Sequence, residues 1–135
     1  MEQHYITTEK LLNCLKEFTR PATRALLVTV LLNMKRRNNH DFCRVKRQEI
    51  EDFVDVSNIK LFNKIVTETT MSVPLFVENK EKSIFITLIN KIDKSDEYIT
   101  FYANNEIQPY MADFLNILEA KVLEENDEGF VVFEE

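Results

Sequence analysis

The sequence predicts an α+β domain: a helical first half, a strand-rich middle and one closing helix. Three observations carry this prediction. Apolar residues recur at helical spacing from Thr8 to about Thr70. Between Val73 and Ala103 they fall instead in short β-rich runs broken by polar stretches. From Asn105 the helical spacing returns, with Ile107, Met111, Phe114, Leu115, Leu118 and Val122 on one side. At 135 residues the chain suits one domain, and it contains no internal repeat or linker long enough to mark a second. Residues 1–123 form the expected domain, and 124–135 an acidic tail whose Phe130–Phe133 run could add a strand or dock on a partner.

Each element has its own signal. Thr7 or Thr8 can cap a first helix over about 8–18, with Leu11, Leu12, Leu15 and Phe18 on one stripe. Pro21 suits the first turn of a second helix, 21–37. Leu26, Leu27, Val30, Leu31 and Met34, with Val28 and Leu32 on other sides, make it apolar nearly all round, as a central helix is. It ends in Lys35-Arg36-Arg37, where cations complement the helix dipole. After the polar loop Asn38–Asp41, Phe42–Val45 reads as a short strand. A short helix at about 47–54 turns Ile50, Phe53 and Val54 inward. Asp55-Val56-Ser57 breaks it, and Ser57 is the expected cap of a helix from Asn58 to about Thr70, with Leu61, Phe62, Ile65 and Val66 inside. Two short helices joined by such a break form a helix-turn-helix pattern.

Val73–Val77 and Ile84–Ile89 read as a hairpin across the polar stretch Glu78–Ser83, and Glu97–Ala103 as a third strand. Asn105 and Gln108 stand at capping-box spacing for the last helix, with Pro109 in its first turn. The only glycine is Gly129, so Asn and Asp must serve any turn that needs a positive φ. A central helix, a strand, a helix-turn-helix, a hairpin, a further strand and a closing helix together make a winged-helix layout with flanking N- and C-terminal helices.

Composition narrows the function. The N-terminal stretch has no apolar core of a signal peptide, and the run Ala25–Met34 is too short to span a bilayer, so a soluble cytoplasmic protein without membrane contact is expected. Cys14 and Cys43 lie among apolar neighbours and read as buried thiols. With one glycine there is no Gly-rich phosphate loop. With two histidines, His4 and His40, hydrolytic triads have few possible members. His40 and Cys43 lack a second pair at zinc-ligand spacing. No catalytic residue, cofactor or metal is expected.

The net charge of −6 hides a split: residues 1–66 carry 12 basic and 8 acidic residues, residues 67–135 carry 5 and 15. A chain negative overall can hold nucleic acid only through local placement of its cations. On the second helix of the pair, Asn58, Lys60, Asn63, Lys64 and Thr67 fall opposite the apolar face. These residue types read base edges and phosphates when such a helix enters the major groove. Arg44, Lys46 and Arg47 lie just before it, and Lys80 and Lys82 sit at the hairpin tip. The expected partner is double-stranded DNA. The competing reading is a small mobile-element protein that inhibits a host or defence complex by mimicking nucleic acid. It would act through Glu119, Glu124, Glu125, Asp127, Glu128, Glu134 and Glu135.

Several stretches resemble the first winged-helix domain of the plasmid replication initiator (Rep protein) family. They are Arg24–Met34 for the central helix, Val45–Ser57 for the approach to the recognition helix, Leu61–Ile65 within it, and Tyr98–Ala103 running into a helix that opens Glu106-Ile107-Gln108-Pro109-Tyr110. The resemblance spans about residues 20–118. It implies sequence-specific binding to repeated origin DNA in plasmid or phage replication or transcription control, with dimerisation through this domain. It also implies that Asn58, Lys60, Asn63 and Lys64 face the groove, and Arg44, Lys46 and Arg47 the phosphates.

Overall fold

The computed structural model describes residues 6–75, 84–126 and 131–134. Among the described residues, five α-helices and five strands follow in the order α1 (Thr8–Cys14), α2 (Pro21–Arg37), β1 (Phe42–Lys46), α3 (Arg47–Val54), α4 (Ile59–Glu68), β2 (Val73–Leu75), β3 (Ile84–Ile86), β4 (Ile89–Lys94), β5 (Tyr98–Ala103) and α5 (Met111–Asn126). The domain is α+β, as the spacing predicts.

Helix α2 is the axis of the core. Leu26, Leu27, Val30, Leu31, Leu32 and Met34 are all buried, and α3, α4, α5 and β1 pack around them. Asn38 ends α2 in the left-handed region (φ 55°, ψ 42°), and the Asn39 N–H donates to the Met34 carbonyl across that end. Asp55 does the same for α3 (φ 54°, ψ 50°). Asn and Asp thus take the positive-φ positions among the described residues.

Strand β5 is the centre of a three-stranded antiparallel sheet ordered β1-β5-β4. Its Ile99, Phe101 and Ala103 point into the core together with Cys43 and Val45 of β1. The other face carries Phe42, Arg44 and Lys46 beside Tyr98, Thr100 and Tyr102. Strands β2 and β3 pair separately, and β2 packs on α1, where the Cys14 thiol donates to the Pro74 carbonyl.

The structure corrects several boundaries. The first helix stops at Cys14 and tightens into a 3-10 turn, Leu15–Glu17, with Thr7 as its cap. Asn58, not Ser57, caps α4: its side-chain oxygen accepts from the Lys60 and Leu61 N–H groups. The run expected as one strand, Ile84–Ile89, divides, and Ile89 opens β4, which belongs to the other sheet. Buried Asn104 explains the division. Its side-chain amide donates to the Thr87 carbonyl and its N–H to the Leu88 carbonyl, so both leave the β2–β3 ladder. The same Asn104 caps a 3-10 turn over Asn105–Tyr110, displacing the start of α5 to Met111 beyond Pro109. The expected boundary at residue 124 falls inside α5. Residues 131–134 pair with no described strand, yet Phe133 is part of the core.

Candidate nucleic-acid interface

The helix expected to read DNA presents the face its spacing predicts. Phe62, Ile65 and Val66 of α4 are buried, while Lys60, Lys64 and Thr67 are exposed and Asn63 half-exposed on the opposite side. Ile59, in the first turn, is 56% exposed, an apolar residue beside the two lysines. No ion pair involves Lys60 or Lys64 among the described residues. Asn58 differs from this group, because its side-chain oxygen already serves the first turn of α4.

The far end of α4 is fixed. Glu68 accepts from Arg20 Nε at 2.8 Å and from the Thr23 hydroxyl at 2.7 Å, tying α4 to the start of α2. The Arg20 hydrogen bond is the chief cause that holds the Glu68 carboxyl below its ordinary pKa, with Thr23 acting the same way against partial desolvation. The exposed face is therefore carried on a helix capped at its start by Asn58 and tied at its end to α2.

The three cations expected to flank it are already engaged. Arg44 lies over the Tyr98 ring at 4.1 Å on the outer face of the sheet. Arg47 lies 5.4 Å from the Phe62 ring centroid and pairs with Glu51 at 3.2 Å. Lys46 pairs with Glu134 at 3.2 Å, and that hydrogen bond raises the lysine's pKa. Lys80 and Lys82 lie outside the described residues. The β4–β5 hairpin carries Lys91 and Lys94 together with Asp93, Asp96 and Glu97. An open cleft of about 450 Å³ separates its turn from the start of α3, lined by Lys46, Arg47 and Tyr98 on one hand and Glu51, Asp96 and Glu97 on the other.

The acidic residues do not gather into one described surface. Glu119 pairs with Lys35 at 3.2 Å between α5 and α2. Glu124 and Glu125 are exposed at the end of α5. Glu134 stands by α3, where its N–H donates to the Glu49 carboxylate. Asp127, Glu128 and Glu135 lie outside the described residues.

What spacing did not disclose is how segment 131–134 docks. Asn33, 0% exposed in α2, donates through its side-chain amide to the Val131 carbonyl and accepts from the Phe133 N–H. Arg36 and Arg37 donate to the Phe133 carbonyl, and Arg37 also to that of Glu134. The available signal was Asn33 itself, a full amide amid an apolar helix, which must find partners if buried.

Cys14 is buried, which, with Glu17 nearby, pushes its thiol up to about 11, so it stays protonated at neutral pH. No group of three or more His, Cys, Asp or Glu that could hold a metal occurs among the described residues. None of their helices is long and apolar enough to cross a membrane. No protein-family model, curated protein or solved structure gives a match to this chain.

Proposed function

We propose that this chain is a winged-helix domain that binds double-stranded DNA, with α4 as its recognition helix, in plasmid or phage replication or transcription control. The observation that carries the reading is the solvent face of α4, where Lys60, Asn63, Lys64 and Thr67 stand together without an ion pair among the described residues. The element order adds support: α2, β1, α3, α4, then a β4–β5 hairpin whose second strand sits between β1 and β4. In that arrangement the wing is the β4–β5 hairpin, with Lys94 near its turn, and the β2–β3 pair is an insertion before it. Asn63 supplies an amide of the kind that pairs with adenine, Lys60 and Lys64 reach phosphates or guanine, and Ile59 suits a thymine methyl. The resemblance to plasmid replication initiators adds repeated origin DNA as the target.

The alternative, an inhibitor using its acidic surface, has less support because Glu119 and Glu134 are paired within the chain. No observation favours catalysis.

Fluorescence anisotropy with a labelled duplex tests the reading. Three phosphate contacts (Lys60, Lys64 and Lys94) give a slope of about −2.7 for log K against log salt, or roughly forty-fold weakening from 50 to 200 mM. Absence of binding to any duplex at 50 mM salt overturns it.

A further inference from the structure

The outer face of the β1-β5-β4 sheet carries more aromatic surface than solvation explains. An antiparallel sheet with one face on the core ordinarily turns polar side chains to water on the other. Here the strand register sets three rows on the outer face: Phe42, Tyr102 and Lys91; Arg44, Thr100 and Asp93; Lys46 and Tyr98. Phe42 is 41% exposed, and Tyr98 and Tyr102 are half-buried. Two of the rings carry cations, Arg44 over Tyr98 at 4.1 Å and Lys91 over Tyr102 at 5.2 Å. The Phe42 and Tyr102 centroids lie 5.9 Å apart. From Tyr98 to Tyr102 the face runs about 13 Å along β5.

Rings and cations in this alternation suit an unpaired nucleic-acid strand. Bases stack on aromatic side chains or on an arginine plane, and the cations between them meet phosphates. Arg44 is exposed and forms no ion pair among the described residues, so its N–H groups stay open to a phosphate while Tyr98 supports the guanidinium. Beside Phe42 an open hollow of about 370 Å³, lined by Arg37, Asn39, Phe42 and Arg44, leaves room for a base against the ring. The middle row bears on the sugar. Asp93 repels phosphates, yet its carboxylate and the Thr100 hydroxyl can accept from a ribose 2′-hydroxyl, a donor that deoxyribose lacks. Lys91 and Asp93 stand 3.8 Å apart and both are more than half exposed, a contact too weak in water to withhold either from a ligand. Lys46 takes no part, since Glu134 already pairs with it.

We propose that the outer face of β1, β5 and β4 binds single-stranded RNA. Bases stack on Phe42, Tyr102 and the Arg44–Tyr98 pair, Arg44 and Lys91 meet phosphates, and Asp93 with Thr100 accepts from the ribose. The inference is independent of duplex binding. Helix α2 packs against β1 on the inner face of the sheet and α4 packs against α2, so α4 and the outer face lie on opposite sides of the sheet.

Fluorescence anisotropy of the full chain with a short labelled RNA of alternating cytidine and adenosine, at 50 mM salt, provides the test. Wild type should bind this RNA, and DNA of the same sequence at least three-fold more weakly. Phe42→Leu with Tyr102→Leu, which keeps apolar bulk but removes the ring faces, should weaken RNA binding at least ten-fold. Asp93→Ala should remove the preference for RNA over DNA. Lys60→Gln with Lys64→Gln, the pair on which duplex binding depends, should leave RNA binding unchanged. RNA binding that is absent in wild type, undiminished in the double leucine variant, or lost with the two α4 lysines overturns the proposal. DNA bound as tightly as RNA, or a preference that survives Asp93→Ala, overturns the assignment to RNA. If the double leucine variant fails to fold, Phe42→Leu alone decides: it changes one exposed edge-strand residue and should cost at least three-fold, and no loss overturns the proposal.

Discussion

The two sides of α3 put similar residues to different use. On the side of the 131–134 segment, Arg36, Arg37 and Lys46 are all hydrogen-bonded to that segment. On the side of α4, Lys60 and Lys64 point into solvent with no ion pair among the described residues. Both groups come from the basic half of the sequence, and composition cannot separate them. The difference is geometric. A cation that satisfies carbonyls inside the fold contributes to stability, whereas one left on a rigid helix face is available to a partner.

The contrast makes stability the property most sensitive on the segment side. Phe133→Ala should lower unfolding free energy by about 3 kcal/mol in urea titrations if the segment unfolds with the core, the low end for a buried Phe truncation. A much smaller loss, with an unchanged urea slope, would mean that the segment opens locally before the core does. Asn33→Ala should cost about 1–3 kcal/mol, because the Phe133 N–H and Val131 carbonyl lose their partner in a largely dry site. Neither substitution touches α4, so duplex binding by the folded variants should be unchanged.

The smallest effect concerns the ion pair that fixes the end of α4. Arg20 holds the Glu68 carboxyl below its ordinary range, so folding is stabilised above the unfolded carboxylate pKa, and that contribution is lost as pH falls through the lowered folded value. Glu68→Gln should therefore lose about 1 kcal/mol or less at pH 7, given the partial exposure of both partners. The gap in Tm between this variant and wild type should close as pH drops below about 4. A gap that persists in acid would mean that packing, not charge, fixes this helix end.

How much of this was legible in the sequence follows from whether the signal is local. Helices α2 and α3 and the apolar face of α4 are set by residues a few positions apart, and their spacing foretold them. The misread Ile84–Ile89 run is different, since what divides it is Asn104, 17 positions from Thr87. The intrachain partners of the flanking cations were hidden for the same reason. Arg44 and Tyr98 meet across paired strands, and Lys46 meets Glu134 88 positions away. The cap of α4 was off by one because Ser57 and Asn58 are both good caps, and only backbone geometry chooses between them. Asn33 was visible as an anomaly, but its partners lie about a hundred positions along the chain.

The salt dependence of duplex binding, compared between two charge variants of the full chain, tests the account most directly. Lys60→Gln with Lys64→Gln should weaken binding at least ten-fold and flatten the slope of log K against log salt by about 2, one phosphate contact for each lysine. Lys46→Gln, on the segment side, should leave both affinity and slope unchanged. Equal losses from the two variants, or a flattened slope from Lys46→Gln alone, would contradict the assignment of DNA to α4.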